Sequence, residues 1–530
     1  MNILIAEPMS PAGIELFKSQ PGWNVIVSTP KEYSQHLAEA DALLVRSAVQ
    51  VTKEVLEKAP RLRVIGRAGV GVDNVDLPAA TAAGVLVMNT PGGNAVSVAE
   101  HALGMMLAMA RHIPQASVST KSGKWEKKKL MGNELRGKTL GILGLGSIGR
   151  EVVKRARTFQ MRVLAHDPYV TTSIAKDLGV ELVDLPRLYA ESDYITLHVA
   201  LTPETEKLLG REAFAQMKPG VRIVNCARGE MIDVDALVEA MESGKVAGAA
   251  LDVFPKEPPP ADSPLLKLEG LVATPHIGGS TEEAQEIVGV RIAEQVVEYL
   301  KSGVAVNAVN MPSLTPEQFK QIEPFVNMVE RLGRFAAYAA TGNPKAVRFT
   351  YFGKTGDGNT HLLRNAGLAG VLSRSTARKA NLVNAMELAS ERGWKVGEQH
   401  ESRAGHTDSI LLEVETDSGV TRVEGAVLLG KARVIQVDGI YCETPLCGCL
   451  LYMRNQDVPG VIGYVGTVLG CHQINIADFS LGRREEPPAP GEPREAVAVV
   501  STDGLVPENV LAQLREHPAV KLARAMDFGE

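Results

Sequence analysis

The chain is short of long apolar runs, of cysteine and of net charge, and each shortage excludes something. Among its 530 residues no stretch approaches the ~20 consecutive apolar residues of a membrane-spanning helix, so no membrane partner is expected. The cysteines number five, an odd count thinly spread. They suit no disulfide framework and lack the regular spacing and paired histidine of a zinc site, so no metal is expected. Lys and Arg total 56 against 62 Asp and Glu, a formal net charge of -6. Such a balance gives no basic field for nucleic acid or an anionic surface. Any anionic substrate must therefore be met by local basic residues. The chain starts on a strand-like Ile3-Leu4-Ile5-Ala6 and then Glu7, without a basic leader region, and the cytoplasm is the expected location.

What remains is ordinary globular composition, 45% hydrophobic and 22% charged. The length is too great for one core and predicts about three or four domains. One stretch organises the rest. Residues 139–143 read as a buried strand, and Gly144, Gly146 and Gly149 follow in G-x-G-x-x-G spacing, with a helical pattern taking over at once. In such a unit the first glycine allows the turn, the second lets backbone approach a pyrophosphate, and the third lets helix pack on strand. The helix start offers free N–H groups to phosphate. A second strand, 162–166, ends at Asp167, about 20 residues on, where an acid meets the adenosine ribose. No Arg follows Asp167 to greet a 2′-phosphate, which favours NAD over NADP.

Residues 1–92 alternate strand candidates (2–6, 24–28, 42–46, 63–66, 85–89) with helices. This pattern predicts a parallel sheet with ligands at the carboxyl ends of its strands. Arg46-Ser47 and the loop from Arg67 to Asn74 fall at such ends. Residues 97–111 read as a helix apolar nearly all round, hence buried in a core or an interface. The run Lys127–Lys129 reads as a solvated face. Further strands are predicted at 194–199, 221–226, 248–252 and 271–273, and three of them end in chemistry: Arg228, then Asp252 with Glu257, then His276. With NAD on the glycine loop, a histidine near neutrality can take a hydroxyl proton as hydride leaves, with Glu257 supporting the ring. Arg228 can clamp a carboxylate. The reaction class is hydride transfer from a 2-hydroxy acid. A helix over 282–302 returns the chain to the first lobe, and 311–316 read as a linker. Beyond it lie a helix over 318–341, strands such as 347–352 and 409–415, and a last segment that reads as βαββαβ. In that segment residues 484–493 form a Pro/Glu-rich hairpin loop.

On Gly144–Gly149 with Asp167, and on the segments around Arg228, Glu257 and His276, the chain resembles the D-isomer-specific 2-hydroxyacid dehydrogenases. The motif Val45-Arg46-Ser47-Ala48 and the two-part tail are similar to the long-tailed branch that oxidises 3-phosphoglycerate. The resemblance implies an α/β chain with two doubly wound lobes, a substrate lobe at 1–92 completed by 283–311 and a Rossmann lobe at 93–282. An α+β intervening domain at 312–447 and an ACT-like βαββαβ module at 448–530 would follow. It implies Arg228, Glu257 and His276 as the catalytic set. It places NAD at Val70 (through backbone), Gly144, Gly146, Ser147, Ile148, Gly149, Asp167, Val199, Cys226, Ala227, Arg228, Asp252, His276, Ile277, Gly278 and Gly279. Arg46, Ser47, Arg67 and Asn94, with Arg228 and His276, would hold the carboxylate and phosphate of 3-phosphoglycerate, aided by Lys129 and Arg136 from a second subunit. Asp457 and Asn475 would bind an effector, serine by expectation. This chain carries Asn455 where some relatives have a histidine, which leaves serine inhibition open. A homo-oligomer, in the long form a tetramer, is expected. Two alternatives keep the fold: a glyoxylate or hydroxypyruvate reductase, and a non-catalytic NAD-sensing protein.

Overall fold

The computed structural model describes residues 1–356, 359–374, 379–401, 408–487 and 493–529. The first sheet contains β1 (Asn2–Ile5), β2 (Asn24–Val27), β3 (Ala42–Val45), β4 (Val64–Arg67) and β5 (Leu86–Met88). They run parallel in the order β2-β1-β3-β4-β5. Parallel strands are covered on both faces, so they are apolar throughout; β3 is buried at every position. The helix Glu282–Ser302 closes one face, and Ile292, Ala293 and Val296 enter the same core as Leu44 and Val64. Asn310 completes this lobe by bonding Val87 N and Val85 O, each at 2.9 Å.

The second sheet contains β6 (Thr139–Leu143), β7 (Arg162–His166), β8 (Glu181–Leu182), β9 (Tyr194–Leu197), β10 (Val221–Asn225), β11 (Val246–Leu251) and β12 (Leu271–Ala273). It is again parallel, in the order β12-β11-β10-β9-β6-β7-β8. Strand order reverses between β6 and β9, and a crevice at that switch point is where an open α/β sheet binds ligands. The apolar helix runs Ala95–Ala110, and Ala99, Ala102 and Met106 pack with Ile142 and Val152. It starts two residues earlier than the sequence pattern predicts.

The third sheet contains β13 (Pro344–Phe352), β14 (Lys395–Glu401), β15 (Ser409–Thr416), β16 (Gly419–Leu428), β17 (Lys431–Val437) and β18 (Ile440–Pro445). It is antiparallel except for the parallel β13–β14 pair. The fourth contains β19 (Cys449–Gln456), β20 (Ile476–Arg483), β21 (Glu495–Thr502) and β22 (Val520–Asp527), in the order β20-β21-β19-β22. With helices Val461–Cys471 and Glu508–Arg515 this is the β-α-β-β-α-β order. Of the hairpin loop anticipated at 484–493, residues 488–492 lie outside the described residues. The helix Pro316–Ala339 joins the two tail sheets: Phe335 meets Tyr452 edge-on at 5.3 Å, and Arg334 donates to Asp527 O at 2.8 Å. Asn381 donates to Gly84 O at 2.8 Å, tying the tail to the first lobe. Among the described residues no helix is long and apolar enough to cross a membrane.

Candidate active site

The glycine loop can be tested by asking what a Cβ would meet at each position. Gly144 has a φ of +95°, and a Cβ there would sit 2.7 Å from His198 O. At Gly149 it would lie 2.1 Å from Gly144 O, so the helix Ser147–Thr158 presses directly on the turn. At Gly146 it would meet no protein atom within 4 Å. The second glycine thus faces open space at a helix start that no side chain caps, which is the cradle a pyrophosphate requires. Asp167 follows β7 and accepts Leu145 N at 2.8 Å and Tyr169 N at 2.9 Å. The carboxylate is thereby held against the glycine loop. These residues fit a dinucleotide such as NAD: Gly146–Ile148 would hold its pyrophosphate and Asp167 its ribose.

His276 and Glu257 meet beyond the ends of β12 and β11. His276 Nδ1 lies 2.7 Å from Glu257 Oε2, and Glu257 Oε1 accepts Phe254 N at 3.0 Å. His276 has a left-handed backbone, φ 53°, a conformation costing on the order of 1–3 kcal/mol in a non-glycine residue. Asp252 holds it there. This carboxylate is 1% exposed and accepts Thr274 Oγ1 at 2.6 Å, Ile277 N at 2.9 Å and Gly278 N at 2.8 Å. Burial alone would raise its pKa, but the donors from His101, Thr274 and the loop backbone outweigh burial and hold it below the ordinary carboxylate range.

Arg228 follows β10. It donates from Nη2 and Nε to Asp73 at 2.9 and 3.3 Å, a pair spanning the two lobes. Arg67, at the end of β4, is pushed down chiefly by burial and lies in the field of Asp73, Arg228, Glu7 and Arg46. Its Nε is shut off from solvent and has no partner. Glu7 is spent on backbone, accepting Arg46 N, Ala48 N and Val49 N at 2.8–3.1 Å. Three guanidiniums, Arg46, Arg67 and Arg228, thus stand against two carboxylates, Asp73 and Glu7, and leave net positive charge. Burial would raise the Asp73 pKa, but the guanidinium of Arg228 pulls it below its ordinary value.

The pieces touch. A Cβ at Gly229 would fall 2.0 Å from the Phe254 carbonyl carbon, so the Arg228 loop abuts the Glu257 loop. One at Gly279 would fall 2.8 Å from Asn94 Nδ2, and one at Gly92 would fall 3.6 Å from Ser147 Cβ. Asn94 Oδ1 is enclosed without a partner. Ser47 is exposed on the adjoining loop, Val70 accepts Asn89 Nδ2 at 2.5 Å, and Val199 follows His198 beside Gly144. Cys226 is buried with its thiol raised by burial, and Ala227 N is held by Asn225 Oδ1 at 2.9 Å. Among the described residues no group of three or more His, Cys, Asp or Glu is placed to hold a metal, and all five cysteines are free.

In the tail, Asp457 lines a cleft of 270 Å³ with Asn455, Phe479 and Arg483, and its Oδ2 lies 3.0 Å from Arg483 Nε. Asn475 is not among the lining residues and instead donates to Asp503 Oδ2 at 3.0 Å. The structure thus does not bring Asp457 and Asn475 together. Asp73, His101 and Thr274 were missed by sequence reasoning. Asp73 stood in a noted loop, but nothing local marks it as the partner of a residue 155 positions away.

Residues 103–278 match the family model for the NAD binding domain of D-isomer specific 2-hydroxyacid dehydrogenases. Residues 321–438 match the intervening domain of D-3-phosphoglycerate dehydrogenase. The D-3-phosphoglycerate dehydrogenase of Methanocaldococcus jannaschii is 42% identical over 523 residues, 98% of each chain. The chain belongs to the D-3-phosphoglycerate dehydrogenase family. The Archaeoglobus fulgidus member is 44% identical over 92% of this chain and 93% of its own, and that of Bacillus subtilis is 37% identical over 99% of each. Solved structures of other enzymes match the two lobes. D-lactate dehydrogenase of Escherichia coli is 31% identical with a TM-score of 0.52, over 58% of this chain and 100% of its own. A glyoxylate reductase of Paecilomyes thermophila is also 31% identical with a TM-score of 0.52, over 60% of this chain and 98% of its own. These enzymes share the lobes; family members such as the archaeal ones share the tail as well.

Proposed function

We propose that the chain oxidises 3-phospho-D-glycerate to 3-phosphohydroxypyruvate with NAD, the first step of L-serine biosynthesis. The observation that carries this reading is Arg67, whose enclosed Nε has no partner beside Arg46 and Arg228. A dianionic phosphate answers that surplus of positive charge, and lactate or glyoxylate does not need it. NAD, when bound, supplies the acceptor for a hydride from the carbinol carbon. Arg228 takes the substrate carboxylate in two parallel hydrogen bonds, and Asp73, now 2.9 Å away, holds the guanidinium in place meanwhile. Arg46, Arg67 and Asn94 take the phosphate, with Ser47 at its edge. Glu257 accepts from His276 Nδ1 at 2.7 Å, which leaves Nε2 free to take the hydroxyl proton. Such help contributes roughly 10²–10⁴-fold.

The four sheets support the division into 1–92 with 283–311, 93–282, 312–447 and 448–530. A homo-oligomer, by expectation a tetramer, covers Val118, Trp125 and Met131, which are 70%, 84% and 79% exposed on one connecting segment. The neighbouring Lys129 and Arg136 then reach a second subunit's phosphate. The Asp457 cleft is the effector site of the ACT-like module, with serine the expected ligand, and the enzyme works in the cytoplasm. The test is His276→Gln, which should lose nearly all turnover while NADH binding is retained. Unchanged turnover sinks the acid–base assignment.

A further inference from the structure

His101 sits on the helix Ala95–Ala110, outside the residues given a part in catalysis or substrate binding. Its Nε2 lies 3.1 Å from Thr274 Oγ1 and 3.3 Å from Asp252 Oδ1. Thr274 spends its single hydroxyl proton on Asp252 at 2.6 Å. Nε2 must therefore carry the hydrogen and donate into the notch between these two oxygens. The ring also backs the loop: a Cβ at Gly278 would lie 3.0 Å from Asp252 Oδ2 and 3.7 Å from His101 Cδ2. On the same helix Ser97 Oγ lies 2.8 Å from Thr281 Oγ1. The helix thus grips the segment 274–281 at both ends. Its N-terminal cap is Asn94, in the substrate loop.

Two histidine–carboxylate pairs, His276–Glu257 and His101–Asp252, meet on one loop. Glu257 takes the His276 ring, and Asp252, steadied by His101, takes the Thr274 hydroxyl before His276 and the Ile277 and Gly278 N–H groups after it. Because His276 is in a left-handed conformation, a loop freed on one flank relaxes and carries the imidazole with it.

We infer that His101 is a positioning residue for hydride transfer, acting through Asp252 and Thr274 to fix where the His276 imidazole stands relative to the glycine loop. It donates a hydrogen bond and touches no substrate. This rests on the reaction class proposed above. The variants are therefore compared on whichever 2-hydroxy acid the wild-type chain oxidises fastest, so a wrong substrate and a wrong role for His101 are told apart.

The experiment compares His101→Leu, which removes the donor, with His101→Gln, whose Nε2 amide keeps one. Displacing a reacting group by about 1 Å costs roughly 10²-fold, so His101→Leu should lower kcat about 10–100-fold. NADH affinity and KM should stay within about threefold, and the primary deuterium isotope effect at the carbinol carbon should rise. His101→Gln should return kcat to within about threefold of wild type. A structural role alone would lower NADH binding and kcat together and would not be rescued by the amide. Wild-type kcat in His101→Leu, a glutamine variant as slow as the leucine one, or NADH affinity lost in step with kcat each overturns the inference. Should His101→Leu fail to fold, His101→Asn, too short to reach Thr274, takes its place in the same comparison.

Discussion

Gly146→Ala separates cofactor binding from folding. The position has φ −66° and ψ −165°, which alanine adopts freely. The added methyl would meet no protein atom within 4 Å. Gly→Ala at a compatible backbone reduces unfolded-state entropy and gains about 0.4–1 kcal/mol, so the melting temperature should hold or rise. The methyl instead fills the space where backbone must approach a pyrophosphate. Losing one charge-assisted hydrogen bond costs about 1.5–3 kcal/mol, and 1.4 kcal/mol is tenfold; NADH affinity should fall about 10–100-fold. Gly149→Ala is the contrast, since its Cβ would lie 2.1 Å from Gly144 O. Relieving that clash shifts the turn at a cost of about 1–3 kcal/mol, so stability and affinity fall together. The assay is NADH fluorescence titration alongside thermal melting. A folded Gly146→Ala protein that binds NADH like wild type refutes the placement of the pyrophosphate.

Two further predictions concern neighbouring groups. Gly71→Ala puts a Cβ 2.2 Å from Arg228 Nη2 and 2.7 Å from Asp73 Oδ2, so it should dislodge the guanidinium. KM for the hydroxy acid should rise about tenfold or more while NADH affinity holds, as read by steady-state kinetics and fluorescence titration; an unchanged KM refutes Arg228 as the clamp. His198, with Nδ1 enclosed and unpartnered, is pushed down by burial from 6.5 to about 4. The unfolded chain then binds a proton that the folded chain refuses between these values. This stability is full above pH 6.5 and lost as pH falls toward 4, on the order of 3 kcal/mol. Melts from pH 7 to pH 4.5 should decline, and His198→Asn should flatten that decline; parallel profiles refute the assignment.

The two lobes were legible because parallel strands are apolar throughout and glycine spacing is unforgiving. The strands at 42–46, 194–199 and 221–226 were found to within two residues of β3, β9 and β10. The third sheet was only half read. Two of its three hairpins turn at Leu429-Gly430 and Asp438-Gly439, all with positive φ, and the Asp-Gly pair was a turn signal in plain view. Strand ends announced Arg228, Glu257 and His276, since chemistry gathers at the carboxyl edge of a parallel sheet. Their supports were hidden. His101 stood in a helix that read as packing alone, and its bond to Asp252 crosses 151 positions, as Asp73 and Arg228 cross 155. Asn475 shows the converse: its neighbour across the fold is Asp503 and not Asp457, because β20 begins at Ile476 and leaves it outside the cleft.

Arg46 and Arg67 make this 2-hydroxy acid dehydrogenase, on the proposed reading, one that selects a phosphorylated substrate. The most direct measurement is NADH formation from 3-phosphoglycerate, D-glycerate and D-lactate in parallel, with phosphohydroxypyruvate trapped as it forms. Rapid turnover of the phosphorylated acid alone is the predicted result. Comparable rates on D-glycerate would contradict the assignment of Arg46 and Arg67 to a phosphate, and tight NADH binding without turnover of any of the three would contradict the enzyme itself.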